Sequence, residues 1–223
     1  MGISNIASNL RPGICTSTTR PTTPYEGQVI YETDTNRTLV WDNSAWVDPS
    51  TGKTGQSGLV LITQGTSSGT TAYNYDGVFT TSFRNYRVIL DNINVQNAGR
   101  ALRWNYRVGG ATNSNANYDY GYNGYKANGT TNNTSSAGLT FAEIGVYLDT
   151  GANEYGAASI DIYAPTDAKR TMATSIAQGL ETAFYWRSGG FVQTQETAFD
   201  GFRITLNSTG NVSYGYAIYG YNQ

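Results

Sequence analysis

The residues best suited to binding a ligand are the tyrosines between Tyr118 and Tyr125, where rings alternate with Asp, Gly and Asn. In an extended strand the side chains of Tyr118, Tyr120 and Tyr122 share one face, because successive residues point to opposite sides. Exposed tyrosines beside carboxylates and amides often bind sugars or proteins, since the ring is amphipathic and loses little entropy. The alternative is that these rings pack the interior of a sandwich or a subunit interface. The candidate binding residues are Tyr118, Asp119, Tyr120, Tyr122, Asn123 and Tyr125.

The sequence offers little for catalysis. It has no His, which removes the commonest general base and metal ligand, and its single Cys excludes an internal disulfide and a Cys-based zinc site. The closest acidic pairs are Glu32 with Asp34 and Asp149 with Glu154, but sequence spacing cannot establish the carboxylate separation that a glycosidase needs. We therefore predict a non-enzymatic protein with no catalytic residue, no metal and no cofactor.

Three weaker motifs do not change this prediction. Gly52-Lys53-Thr54 resembles the end of a phosphate-binding loop, but Val47 stands where that loop needs Gly. Asp- and Asn-rich turns could bind calcium, yet no complete calcium-loop pattern occurs. Cys15 is expected to be a free thiol in an arm, since the chain contains no His to activate it.

The charge balance excludes other classes of partner. Only 13% of residues are charged and the net charge is −2, so neither nucleic-acid binding nor a polybasic membrane patch is expected. No apolar run approaches the roughly 20 residues of a membrane span. The first fifteen residues contain no apolar core of a secretory signal. We predict no membrane insertion.

The N-terminal region predicts a small β-hairpin. Strands are expected over 28–33 and 37–42, with a short third strand over 45–47, after a polar extended arm over 16–24. Such a hairpin is marginal alone, so it must pack on the main domain or on another chain. The run 48–58 contains no large apolar residue and marks a boundary between domains 1–57 and 58–223. The candidate anchoring residues are Tyr31, Leu39, Trp41 and Trp46.

The rest of the chain predicts a β-sandwich or barrel. Short segments with apolar residues at every second position are separated by Gly, Asn, Ser and Thr clusters, which gives at least eight strands. Alternation with one polar face favours antiparallel sheets. The segment 167–184 is ambiguous, because Met172, Ile176 and Leu180 fall four apart as in a helix; we favour a strand.

Two sets of residues resemble one class of proteins. The first is Gly27-Gln28-x-Ile30-Tyr31-x-Thr33 with Val40-Trp41 and Ala45-Trp46-Val47. It is similar to the N-terminal module of tailed-bacteriophage virion proteins of the tail-fibre, minor-tail and head-decoration types. The second set resembles the β-sandwich heads of the same class and includes Phe83-x-x-Tyr86-Arg87-Val88, Ala101-Leu102-Arg103-Trp104 and Asp200-Gly201-Phe202-Arg203-Ile204.

The resemblance implies an all-β protein with an N-terminal arm and hairpin followed by a jelly-roll-like antiparallel sandwich. It also implies a structural role in the virion, assembly in the host cytoplasm, and a homotrimer bound to a tail protein or the major capsid protein. A tail-fibre or receptor-binding protein would hold a host glycan or protein. A capsid decoration protein would instead clamp capsid subunits. A carbohydrate-binding module or glycan depolymerase is the remote alternative.

Overall fold

The computed structural model describes residues 12–49, 58–97, 100–148, 155–180, 183–207 and 209–222. Within these ranges the regular structure is entirely β, which confirms the predicted fold class. The chain forms two compact units, residues 1–56 and 57–223. Each unit is described separately below.

The N-terminal unit is a four-stranded sheet in the order β1-β2-β3-β4. The predicted hairpin is formed by β2 and β3, and β4 pairs with β3 through Trp41 and Trp46. The prediction missed β1, which pairs parallel with β2 and so makes the start of the arm part of the sheet. The strands are β1 (Gly13–Cys15), β2 (Val29–Glu32), β3 (Arg37–Trp41) and β4 (Trp46–Val47).

The second unit is a sandwich of a large and a small sheet, in which every strand pair is antiparallel. The eight-stranded sheet contains, in spatial order, β11 (Thr134–Leu139), β10 (Tyr118–Lys126), β15 (Phe184–Gln193), β14 (Thr171–Leu180), β13 (Gly156–Tyr163), β7 (Asn85–Val95), β17 (Val212–Asn222) and β5 (Gly58–Thr70). The five-stranded sheet contains β12 (Ala142–Leu148), β8 (Arg100–Val108), β16 (Gly201–Leu206) and β6 (Ala72–Tyr75), with β9 (Ala111–Thr112) pairing with β8.

The chain crosses repeatedly between the two sheets, which gives the sandwich its jelly-roll-like character. Strands β5, β7, β13 and β17 lie in the large sheet, whereas β6, β8, β12 and β16 lie in the small one. Several neighbouring strands are therefore distant in sequence, such as β7 and β17 or β8 and β16, although β13, β14 and β15 follow one another directly. Because the sheets are built from interleaved segments, the inner faces of both can be closed only when the whole unit has folded.

The core is formed by the inward side chains of both sheets and is rich in aromatic rings. The ring of Trp104 is fully buried and stacks on Phe202, with centroids 4.0 Å apart and an interplanar angle of 8°. The ring of Tyr106 also stacks on that of Phe199, with centroids 4.7 Å apart. Trp104, Tyr106 and Phe202 come from period-two segments of the sequence, whereas Phe199 precedes β16. The alternating pattern therefore identified the inward positions of these three residues, but Val108 at the end of β8 is exposed.

The ambiguous segment 167–184 contains the strand Thr171–Leu180 and no helix among its described residues. Strand β14 ends at Leu180, and β15 begins at Phe184. A spacing of four is even, so Met172, Ile176 and Leu180 share one face of a strand as readily as one side of a helix. The apolar spacing alone therefore could not distinguish the two structures.

Candidate interaction surface

The tyrosine segment forms the strand β10, and the structure places two of its candidate binding residues in the core. Tyr118 and Tyr122 are 0% and 2% exposed. The hypothesis that these two rings form a ligand-binding face is wrong, because neither can reach a molecule outside the protein. For this pair the packing alternative holds.

The hydroxyl of Tyr118 joins the two sheets. It accepts a hydrogen bond from the backbone N–H of Tyr106 at 2.9 Å and donates one to the carbonyl of Asn113 at 3.0 Å. Burial raises the pKa of Tyr118 to about 12. The hydroxyl therefore stays neutral and satisfies the buried N–H of Tyr106, and it shares the carbonyl of Asn113 with the side-chain amide of Asn105.

The other four candidate residues of the tyrosine segment have environments that differ from one another. Tyr120 is half-buried on the inner side, where burial and the carboxylate of Glu143 raise its pKa. Asp119 accepts a hydrogen bond from the N–H of Gly138 at 2.8 Å. Asn123 and Tyr125 are exposed, and the Tyr125 ring lies 6.0 Å from that of Trp186. The structure therefore does not bring the six candidates together in one site.

The most unusual surface is the outer side of β14, because on this strand the small side chains point inward and large apolar side chains point outward. Its inward residues are small, namely Thr171, Ala173, Ser175, Ala177 and Gly179. Its outward residues include Met172 and Ile176, which are 59% and 63% exposed. An ordinary sandwich strand places its large apolar side chains in the core, so this strand presents to solvent what it would normally bury.

Small inward residues are required because β12 of the opposite sheet lies close to β14. The hydroxyl of Ser175 donates to the carbonyl of Ile144 at 2.9 Å. A Cβ on Gly145, whose φ is +83°, would lie 3.2 Å from the Cβ of Ala177. A tight inter-sheet fit therefore explains the inner face of β14, but it does not explain the large residues outside.

Neighbouring strands extend this surface. Tyr163 pairs with Met172, and Trp186 lies on the next strand beside Gln178. A groove of about 510 Å³ crosses it between Tyr163, Met172 and Val192. We call this surface the apolar face, and it consists of Tyr125, Tyr163, Met172, Ile176 and Trp186.

The apolar face has few charges near it. Asp161 on β13 is neutralised by Arg87 through two hydrogen bonds of 2.7 Å, and Tyr221 donates a third of 2.6 Å. Although partial burial opposes ionisation, these hydrogen bonds hold the pKa of Asp161 below its ordinary value. The carboxylate of Asp119 also borders the groove, where it accepts a hydrogen bond from the N–H of Gly138. A mainly apolar surface of this kind is well suited to protein contact.

The candidate anchoring residues of the N-terminal unit have different environments. Leu39 is 5% exposed and packs in register opposite Ile30, so it belongs to the interior of this sheet and is not available to a partner. Trp41 and Trp46 are partly exposed and meet edge to face at 5.5 Å. Tyr31 is also partly exposed and donates a hydrogen bond to Asn36. These three rings remain candidates for an external contact.

The polar arm is tied to the hairpin by two carboxylates. Glu32, whose side chain is buried, forms an ion pair with Arg20 and accepts a hydrogen bond from Thr35 at 2.7 Å. Asp34 accepts hydrogen bonds from the backbone and hydroxyl of Ser17. The beginning of the predicted arm over 16–24 is therefore held against the hairpin.

The N-terminal unit is expected to lose stability in acid. Hydrogen bonds from Arg20 and Thr35 lower the pKa of Glu32. Its stabilising effect is therefore complete above the ordinary glutamate pKa of about 4.3 and is lost as the pH falls through the lower folded value. Following the indole N–H resonances of Trp41 and Trp46 during an acid titration measures this loss.

The matched variant for this experiment is Glu32→Gln. It removes the charge, so the unit should be less stable at neutral pH and should change less between neutral and acidic solution. Some acid sensitivity will remain, because the hydroxyl of Ser17 holds the pKa of Asp34 below its ordinary value as well. A variant with the same pH dependence as the natural chain would contradict the role of Glu32.

The sequence matches no family model and no curated protein. In the described part of the chain, no group of three or more His, Cys, Asp or Glu side chains is placed to hold a metal ion. Across the same ranges, no helix is long and apolar enough to cross a membrane.

Proposed function

We propose that this chain is a non-enzymatic structural protein on the surface of a tailed-phage virion, of the tail-fibre or receptor-binding type. In this proposal the N-terminal unit anchors the chain to the particle and the sandwich is exposed. The resemblance of the N-terminal motif supports the virion assignment. The observation that carries the structural role is the apolar face, since a side chain such as Ile176 at 63% exposure gains stability only when another surface covers it.

The partner proposed for the apolar face is a second and third copy of the same chain. Its members are aliphatic and aromatic side chains, so three copies of the face can converge on a three-fold axis without bringing charged members together. The groove between Tyr163 and Met172 provides a recess for a ring or aliphatic side chain of a neighbouring subunit. A homotrimer formed in this way leaves the outer loops free for the host.

The partner proposed for the N-terminal unit is another virion protein, either a tail protein or the major capsid protein. Tyr31, Trp41 and Trp46 are partly exposed aromatic residues, which is the residue type that dominates the energetics of protein interfaces. The ion pair between the exposed Arg20 and the buried Glu32 fixes the arm against the sheet that carries these rings. The rings are therefore presented on a small, preorganised surface.

Deleting residues 1–57 tests the anchoring role. The remaining sandwich contains the whole aromatic core of the second unit, so it should retain the β-type circular dichroism of the complete chain. Particles assembled with the shortened chain should lack it, whereas particles assembled with the complete chain should contain it. Incorporation of the shortened chain would refute the anchor, and absence of the complete chain from particles would refute the virion role.

Capsid decoration is the second candidate, and one feature of the chain favours it. Only ten residues lie between the end of β4 at Val47 and the start of β5 at Gly58, which leaves no room for the long shaft of a fibre. Labelling the complete protein on intact particles separates the two candidates. Label on the tail supports the receptor-binding type, and label distributed over the head supports decoration.

A further inference from the structure

A cleft with mixed polar and aromatic walls lies at one end of the outer side of the large sheet. Its volume is about 670 Å³, within the range of small-molecule sites. It is separate from the six tyrosine-segment candidates. The side chains that give it chemical character are Asp91, Asn92, Tyr155, Gln178, Leu180 and Phe184.

The polar wall is created by a bulge in β7. On β13, Gly156 pairs with Ile93 and Ala158 with Leu90, so the single residue between them faces two residues of β7. Leu90 and Ile93 both remain buried, and the two residues between them are both exposed. The extra residue therefore places Asp91 and Asn92 together on the outer side, where a regular strand would place only one of them.

The bulge requires an uncommon backbone conformation. Asn92 has φ of +49°, a left-handed conformation that is unfavourable for residues with a side chain, although Asn tolerates it better than most. The neighbouring strand β17 accommodates the carboxylate of Asp91 with a glycine, since a Cβ on Gly215 would lie 2.2 Å from Oδ1 of Asp91. Within the described ranges Asp91 forms no ion pair. Its carboxylate is thus held at the cleft without a neutralising partner.

The opposite wall is aromatic and aliphatic. Tyr155 is 58% exposed and Phe184 is 46% exposed, and Leu180 pairs in register with Phe184. The amide of Gln178 lies between this wall and the bulge. The floor is formed in part by Ala157, which pairs with Gln178 and is too small to fill the space.

From this arrangement we propose that the cleft binds a neutral saccharide unit. Sugar rings present C–H groups that pack on aromatic faces, and their hydroxyls donate to carboxylates and exchange hydrogen bonds with amides. Tyr155 and Phe184 provide the rings, Asp91 the carboxylate, and Asn92 and Gln178 the amides. The lining contains no Lys or Arg, so it offers no charge for an acidic sugar. The assignment of the saccharide to a host surface glycan rests on the proposed function; the chemistry of the cleft does not.

Saturation-transfer NMR on the complete chain tests this inference. The probes are glucose, galactose, mannose, rhamnose, N-acetylglucosamine and N-acetylgalactosamine, with lactose and maltose as disaccharides. At least one should receive magnetisation through its ring C–H protons. Asp91→Ala should then weaken its binding about tenfold, because it removes a hydrogen bond to a charged group. Phe184→Ala should weaken it as well.

Glu196→Ala and Tyr25→Ala are the matched controls, since they remove an exposed carboxylate and an exposed ring outside the cleft. Both should leave saccharide binding unchanged. The inference is overturned if every probe is silent, or if binding persists in both Asp91→Ala and Phe184→Ala. Incorporation of the Asp91→Ala variant into particles is measured in parallel. A chain that binds a saccharide but does not enter particles would contradict the virion role and leave the saccharide inference standing.

Discussion

Tyr118→Ala is expected to destabilise the sandwich by roughly 3–5 kcal/mol, the usual cost of removing a large buried aromatic side chain. The ring is 0% exposed, and its hydroxyl bonds the backbone of Tyr106 and Asn113. The substitution therefore opens a cavity and leaves the N–H of Tyr106 without its partner, whereas the carbonyl of Asn113 keeps the hydrogen bond from Asn105. Because a domain of this kind is stable by only about 5–15 kcal/mol, urea denaturation should show a large decrease in the midpoint.

Two companion variants separate the contributions at this position. Tyr118→Phe keeps the ring and loses the hydroxyl, so it should cost about 1–3 kcal/mol for the unpaired N–H of Tyr106. Tyr125→Ala changes a ring that is 53% exposed and should alter the stability of the monomer by less than about 0.5 kcal/mol. If Tyr118→Ala were as stable as Tyr125→Ala, the position of Tyr118 between the sheets would be wrong.

The tyrosine segment illustrates what period-two alternation can and cannot predict. It correctly placed Tyr118 and Tyr122 on one face and Asp119 and Asn123 on the other. It could not decide which face meets the core, because a strand with rings on one side and Asp, Gly and Asn on the other can lie in a sandwich either way. The order of the strands decides this, and it depends on segments far away in the sequence.

Strand β14 is a second case in which alternation does not identify the inward face. Its sequence alternates large and small residues, and size normally indicates the inward side. Here the inward side is set by the close approach of β12, which accepts Ser175 and Ala177 but has no room for Ile176. The sequence does contain an indication of this arrangement, since Thr, Ala, Ser, Ala and Gly occupy every second position. That pattern shows which face is inward only once the contact with β12 is known.

Strand β1 and the bulge in β7 could not be predicted, because each depends on pairing with residues that are distant in sequence. The strand β1 is three residues long and pairs parallel with β2, fifteen or more residues later, so no local pattern reports it. The bulge in β7 was visible only as two consecutive polar residues, Asp91 and Asn92, between Leu90 and Ile93. Such an interruption could equally mark the end of a strand, and the cleft also needs Tyr155 and Phe184 from other strands.

Ile176→Asp is expected to convert a trimer into monomers. Light scattering with size-exclusion chromatography should give the natural chain a mass three times its 24.1 kDa, and the variant a mass near that of one chain. Each trimer would have to bury three unpaired carboxylates in an apolar contact. At least about 3 kcal/mol of association free energy should be lost, or roughly a hundredfold in the dissociation constant.

The variant separates association from folding because Ile176 lies outside the core. Its side chain is 63% exposed in the single chain, so the stability of the monomer should change by less than about 0.5 kcal/mol. Val108→Asp is the matched control, since Val108 is an aliphatic residue that is 41% exposed on the small sheet. That variant should remain trimeric. A natural chain that stays monomeric at high concentration would refute the trimer, and dissociation of both variants would place the interface elsewhere than on the apolar face.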